Sequence, residues 1–207
     1  MSGRVSGFFS NFRNVFLVGL VLAIIVIIGF GHDGSGFNEV WGQAILRYMH
    51  VFFGLLWIGL LYYFNFVQIR MMPKIPAELK PAISKYIAPE ALFWFRWAAL
   101  ITVILGLTVA YMRGYEREAL TFGLYNGFAV GDIRYSFIGL GMWLGIIMMV
   151  NVWGVIWPAQ KIALGMKPAE DDVRAKAATR AMVFSRINTL LSLPMLACMV
   201  MYHNIFG

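Results

Sequence analysis

The chain has 207 residues, of which 60% are hydrophobic and only 13% charged. A soluble domain of this length is about a quarter charged, so the composition excludes one and points to an all-α integral membrane protein. The net charge of +7 excludes nothing about topology but does not point to nucleic acid, because the bases are sorted along the chain by its apolar runs.

Five runs are long and apolar enough to predict transmembrane helices, at 15–30, 40–67, 91–112, 137–157 and 187–206. Together they make residues 1–207 one transmembrane domain. The first follows Arg4 and Arg13 and leads into Gly31-His32-Asp33 with no small-residue cleavage site, which reads as an anchor and not a removed signal peptide. His32 sits in a short Gly-rich loop and reads as solvated, with a metal or substrate role as the alternative. The second run exceeds the roughly 20 residues a bilayer needs, so it must tilt or project. Pro73, Pro76, Pro81 and Pro89 punctuate the next loop, and the stretch 77–87 between them predicts a short interfacial helix with its lysines among headgroups. The loop 113–134 holds acids and bases in near balance. After the fourth run, Pro168-Ala169-Glu170-Asp171-Asp172 has the form of a helix start with acids in its first turn. That helix is expected to run directly into the fifth span.

Twelve bases flank the spans on one side: Arg4 and Arg13, four from Arg70 to Lys85, and six from Lys161 to Arg186. Only Arg113, Arg117 and Arg134 lie on the other. This bias predicts a cytoplasmic N-terminus, an outer C-terminus and short interfacial helices on the cytoplasmic side. The expected location is the cytoplasmic (inner) membrane of a bacterium. A single cysteine, Cys198, excludes an internal disulfide, and the sequence holds neither Cys-x-x-Cys-His for covalent haem c nor a zinc cluster.

The second span is polar along one stripe. At 100° per residue, Arg47, Gly54, Trp57, Leu61, Asn65 and Gln68 fall within about 60° of His50. Such a stripe lacks partners in lipid and is expected to face protein. The fifth span offers a matching face of Ser185, Asn188, Ser192, Met195, Met199 and His203, and Asn151 lies near the inner end of the fourth. His50 should lie roughly 13 Å below Trp41, so the three histidines gather toward the outer side and Asn65, Asn151 and Asn188 toward the inner.

Ionisable residues inside a span are functional candidates. One reading is haem b, with His50 and His203 as axial ligands, Gly54 letting the macrocycle approach the backbone, Trp57 lining it and Arg47 pairing a propionate. The alternative is that His50 hydrogen-bonds a neighbouring helix and Gly54 permits close packing. Met195 or Met199 is an alternative second ligand, and ordinary packing is the other role open to each. Asn65, Asn151 and Asn188 form either a polar substrate or quinone site or a set of interhelical hydrogen bonds. Arg96 is expected to snorkel at the inner end of the third span.

The stretches His50-Val-Phe-Phe-Gly-Leu-Leu-Trp-Ile-Gly-Leu-Leu-Tyr-Tyr-Phe-Asn-Phe-Val-Gln68, Asn151-Val-Trp-Gly-Val-Ile-Trp-Pro-Ala-Gln160 and Ser185-Arg-Ile-Asn-Thr-Leu-Leu-Ser-Leu-Pro-Met195, with His203 beyond, resemble the membrane domain of the bacterial cytochrome c-linked urate oxidases. The resemblance implies that His50, Asn65, Asn151, Asn188 and His203 match motif positions. It also implies a membrane portion that oxidises urate and passes electrons to a cytochrome c at the outer face. That family carries its cytochrome c as a C-terminal domain. This sequence has no Cys-x-x-Cys-His, so the expected partner is a separate cytochrome c or cytochrome-bearing subunit, with other membrane subunits beside it. Three functions compete: a haem b electron-transfer subunit, a urate- or purine-oxidising enzyme, and a non-redox accessory subunit scaffolding a respiratory or photosynthetic complex.

Overall fold

The computed structural model describes residues 7–30, 36–125 and 132–206; His32 and Arg4 lie outside them. Every regular element among the described residues is helical. Among the described residues, five helices are long and apolar enough to cross a membrane: Phe12–Gly29, Glu39–Lys74, Lys80–Met112, Ile133–Ala163 and Asp171–Phe206. Each of the last four contains one of the predicted runs, and the first covers all but the last residue of its own. The last four extend past their runs mostly at the ends flanked by lysine and arginine, because an apolar run reports the length that suits hydrocarbon while Ala, Lys, Arg and Glu continue a helix into water.

The chain divides into two compact units, residues 1–45 and 46–207. In the first, α1 (Phe12–Phe30) is apolar on all sides, and Phe16, Leu20 and Val21 are exposed. The start of α2 (Glu39–Tyr62) is capped by Asn38, whose Oδ1 accepts the Trp41 N–H at 3.0 Å. Glu39 in that first turn suits the positive end of the helix dipole.

The second unit holds the remainder of α2 with α3 (Ala88–Met112), α4 (Glu116–Leu120), α5 (Ile133–Asn151), α6 (Trp157–Ala163) and α7 (Asp171–Phe206). Its larger core joins Trp57, Leu61, Phe95, Ala99, Met148, Val152 and Met195, drawn from four of these helices. A smaller core at the Met112 end joins Ala110, Ala119, Ile138 and Met142. There Gly114, at φ +68, closes α3 as the Tyr115 N–H reaches Ala110 O at 3.1 Å, the left-handed C-terminal turn that glycine adopts without strain. α4 lies so close on α5 that a Cβ at Gly139 would overlap the Ala119 carbonyl oxygen.

Among the described residues, three wide π-helical turns interrupt the long helices, at Tyr63–Gln68, Ile83–Ile87 and Val152–Ile156. Two of them end just before a proline, Pro89 and Pro158. A proline ring clashes with the carbonyl four residues back and lacks the N–H that would bond it; a wide turn relieves both problems and keeps the helix continuous. The interfacial helix predicted over 77–87 is therefore not a separate element. From Lys80 onward it runs through the Ile83–Ile87 turn into α3. Asp171 and Asp172 do begin α7, which continues for 36 residues to Phe206 with Pro194 inside it.

Candidate functional site

The stripe on α2 faces the core of the second unit. Trp57 and Leu61 are fully buried, His50, Gly54, Asn65 and Gln68 are half-buried, and Arg47 is exposed one turn before His50. His50 Nδ1 lies 2.8 Å from the main-chain oxygen of Thr102 on α3. A carbonyl oxygen only accepts, so Nδ1 carries the proton and, in the neutral ring, Nε2 presents its lone pair. Two small contacts let α3 come this near. A Cβ on Gly106 would stand 2.8 Å from His50 Cε1, and one on Gly54 would stand 3.7 Å from Thr102 Cγ2. Gly54 thus lies against α3, the arrangement its packing role requires.

Towards the basic ends of the helices the stripe meets α7. Tyr62 OH and Ser192 Oγ are 3.0 Å apart, and Ser192 Oγ donates to Thr189 O at 2.7 Å, so the phenol is the donor between them. Asn65, in the first π-helical turn, donates from Nδ2 to Ser185 Oγ at 2.8 Å and to Leu61 O at 2.9 Å. Asn151 Nδ2 donates to Asn188 Oδ1 at 3.0 Å, and Asn188 Nδ2 donates to Met148 O at 2.9 Å. The three asparagines therefore form two separate interhelical links, Asn65 with α7 and Asn151 with Asn188. Both use polar side chains that a bilayer would leave unsatisfied. Trp57 Nε1, Asn65 Oδ1 and Gln68 Oε1 are buried with no hydrogen-bond partner among the described residues.

The two links to α2 set a register. Numbers rise along α2 as they fall along α7, so the helices are antiparallel. His50 stands twelve residues before Tyr62, about 18 Å along the axis at 1.5 Å per residue. The same rise from Ser192 reaches position 204, beside His203. His203 also lies about three turns from Ser192 and five from Ser185, on the face those serines turn toward α2. It is exposed near the end of α7. Met195 is buried in the larger core, and Met199 packs against both cores. Met199 Cε would also stand 3.3 Å from a Cβ at Gly141 of α5.

The second and third of the quoted sequence stretches, with His203, lie in the part of the chain that a family model matches. Residues 119–206 match the family model described as urate oxidase N-terminal. The match takes in Asn151, Asn188 and His203 and stops short of His50 and Asn65. No curated protein and no solved structure matches the chain.

Thr102 and Gly106, which hold the His50 ring, were not singled out by the periodicity of α2. The readable signal was a lone glycine in the apolar third span at the depth of His50. Tyr62 also joins the network although it lies well off the stripe, because a tyrosine reaches sideways to a hydroxyl that a shorter side chain would miss.

Proposed function

We propose that the chain is a multi-pass protein of a bacterial cytoplasmic membrane that holds haem b and transfers electrons to or from a cytochrome c at the outer face. The observation that carries this reading is the Nδ1–H of His50 held on the Thr102 carbonyl at 2.8 Å. Metal-ligating histidines are oriented in this way, the second nitrogen being tied so that the first is a fixed, basic donor. The residues fit a haem to that extent: Nε2 would be the ligand atom, and the antiparallel register of α2 and α7, which puts His203 at a similar depth, supports it as the second ligand. Arg47, exposed one turn towards the Glu39 end, supplies a cation for a propionate. A bound haem b supplies one-electron transfer. The protein's part is to fix the imidazole, exclude water with Trp57 and its neighbours, and neutralise the propionate. A pyridine haemochrome assay on protein purified from haem-replete cells tests this. About one b-type haem per chain, lost in His50→Ala, is expected; a colourless preparation sinks the proposal.

Two other readings have support of their own. The exposed position of His203 and the interhelical bond of His50 suit a non-redox subunit scaffolding a larger membrane complex. In that case His50→Ala impairs assembly with no spectral change. The match over 119–206 suits a urate- or purine-oxidising enzyme, which urate-dependent reduction of added cytochrome c by membranes would reveal.

A further inference from the structure

Where α6 leads into α7 the second unit has an open groove of about 280 Å³. Its floor is apolar, made by Val155, Pro158, Ala159 and Ile162 on one side and Val173 and Ala177 on the other. Lys176 and Arg180, one turn apart on α7, stand on its rim, and the lining contains no acid. The groove exists because its walls are small. Ala159 and Ala177 are buried at its base, and a Cβ on Gly154 would meet nothing within 4 Å.

Charge on the rim is only partly balanced by the protein. Lys176 Nζ pairs with Asp172 at 3.2 Å, an exposed contact of little strength. Arg180 has no ion pair or hydrogen bond among the described residues. An apolar slot beneath two cations, at the basic end of helices able to cross a membrane, is complementary to an amphiphile with an anionic head. Basic pockets between helices at this level recognise phospholipid headgroups. The volume lies at the lower edge of small-molecule sites, so the head and upper chain enter and the rest of the lipid follows the helix surface.

We infer that this groove is a binding site for an anionic phospholipid, with Lys176 and Arg180 holding the phosphate and the Gly154 side of the slot taking the start of an acyl chain. The inference rests on the membrane part of the reading above and not on haem, so a colourless protein leaves it standing. Detergent-purified full chain is incubated with phosphatidylglycerol or phosphatidylcholine, and retained lipid is counted by native mass spectrometry. One phosphatidylglycerol held in preference to phosphatidylcholine is expected. Retention should weaken about five-fold for each cation removed in Lys176→Ala and Arg180→Ala. It should also weaken in Gly154→Leu, which fills the slot without changing charge. The paired variant Arg70→Ala/Lys74→Ala removes equal charge elsewhere and should retain the lipid as the unaltered chain does. Equal weakening in that control, unchanged retention in Gly154→Leu, or full displacement by inorganic phosphate overturns the inference. All the substituted positions are exposed, and unchanged circular dichroism confirms that the variants fold.

Discussion

The imidazole of His50 on α2 occupies the space that a side chain at Gly106 on α3 would need: a single added methyl at Gly106 would stand 2.8 Å from His50 Cε1. Gly106→Ala should therefore rotate or displace the ring and disturb its bond to Thr102 O. An overpacking cost of about 1–3 kcal/mol is expected. Thermal unfolding in detergent reads the stability, and the content of the proposed haem in the same sample reads the ring position. A variant with unchanged stability and haem would show that the ring is not held as described.

Asn188 is fully buried and bonds in both directions, to Asn151 and to Met148 O. Asn188→Ala should cost about 1–3 kcal/mol, since it leaves the Asn151 amide without its acceptor. For Asn65 and Ser185, a double-mutant cycle should give a coupling of about 0.6–1.7 kcal/mol, the range for interhelical hydrogen bonds in membranes. A coupling of zero would separate the two helices at that point.

Glycines on α5 should differ sharply. Gly139→Ala drives a methyl into the Ala119 backbone, and Gly141→Ala places one 2.7 Å from Cys198 Cβ; both should be destabilised by overpacking. Gly145→Ala meets nothing within 4 Å and should be tolerated. Expression and unfolding temperature of the three variants, compared side by side, check the ranking.

Asp132 caps α5. Its Oδ1 accepts the Arg134 N–H at 2.9 Å, and its carboxylate takes the Arg134 guanidinium, the closer contact being 2.6 Å. The guanidinium hydrogen bonds first, and the backbone N–H second, hold this carboxyl below the usual aspartate range. A depressed folded pKa means that the cap's contribution is complete above the unfolded value of about 3.9 and is lost as pH falls through the lower folded one. Amide exchange in the first turn of α5 should accelerate only below that point. Asp132→Asn should remove the pH dependence while keeping much of the cap.

What could be seen in the sequence was whatever has a period. The stripe from Arg47 to Gln68 and the matching face from Ser185 to His203 repeat at helical spacing, so the part that turns to protein, His50 to Gln68 and Ser185 to Met199, is legible before any partner is known, while Arg47 and His203 at the ends are exposed. The partners were not. Which carbonyl receives His50 depends on how α2 and α3 approach, and that is decided by Gly54, Gly106 and Thr102 together, three residues with no common motif. The π-helical turns were equally hidden. Pro89 and Pro158 announced a break, yet the chain widened a turn and went on, so the expected interfacial helix became the first turns of a longer one. Asn65, Asn151 and Asn188 look like one cluster by depth, but the rotation of each helix divides them into two links.

The central proposal is that His50, with His203 as the second ligand, holds a haem b. A reduced-minus-oxidised absorbance spectrum of the purified chain, run beside His50→Ala and His203→Ala, tests it most directly. A b-type difference spectrum is predicted for the unaltered chain, lost in His50→Ala and changed in His203→Ala. A flat spectrum from the unaltered chain, or one identical in all three proteins, would contradict it.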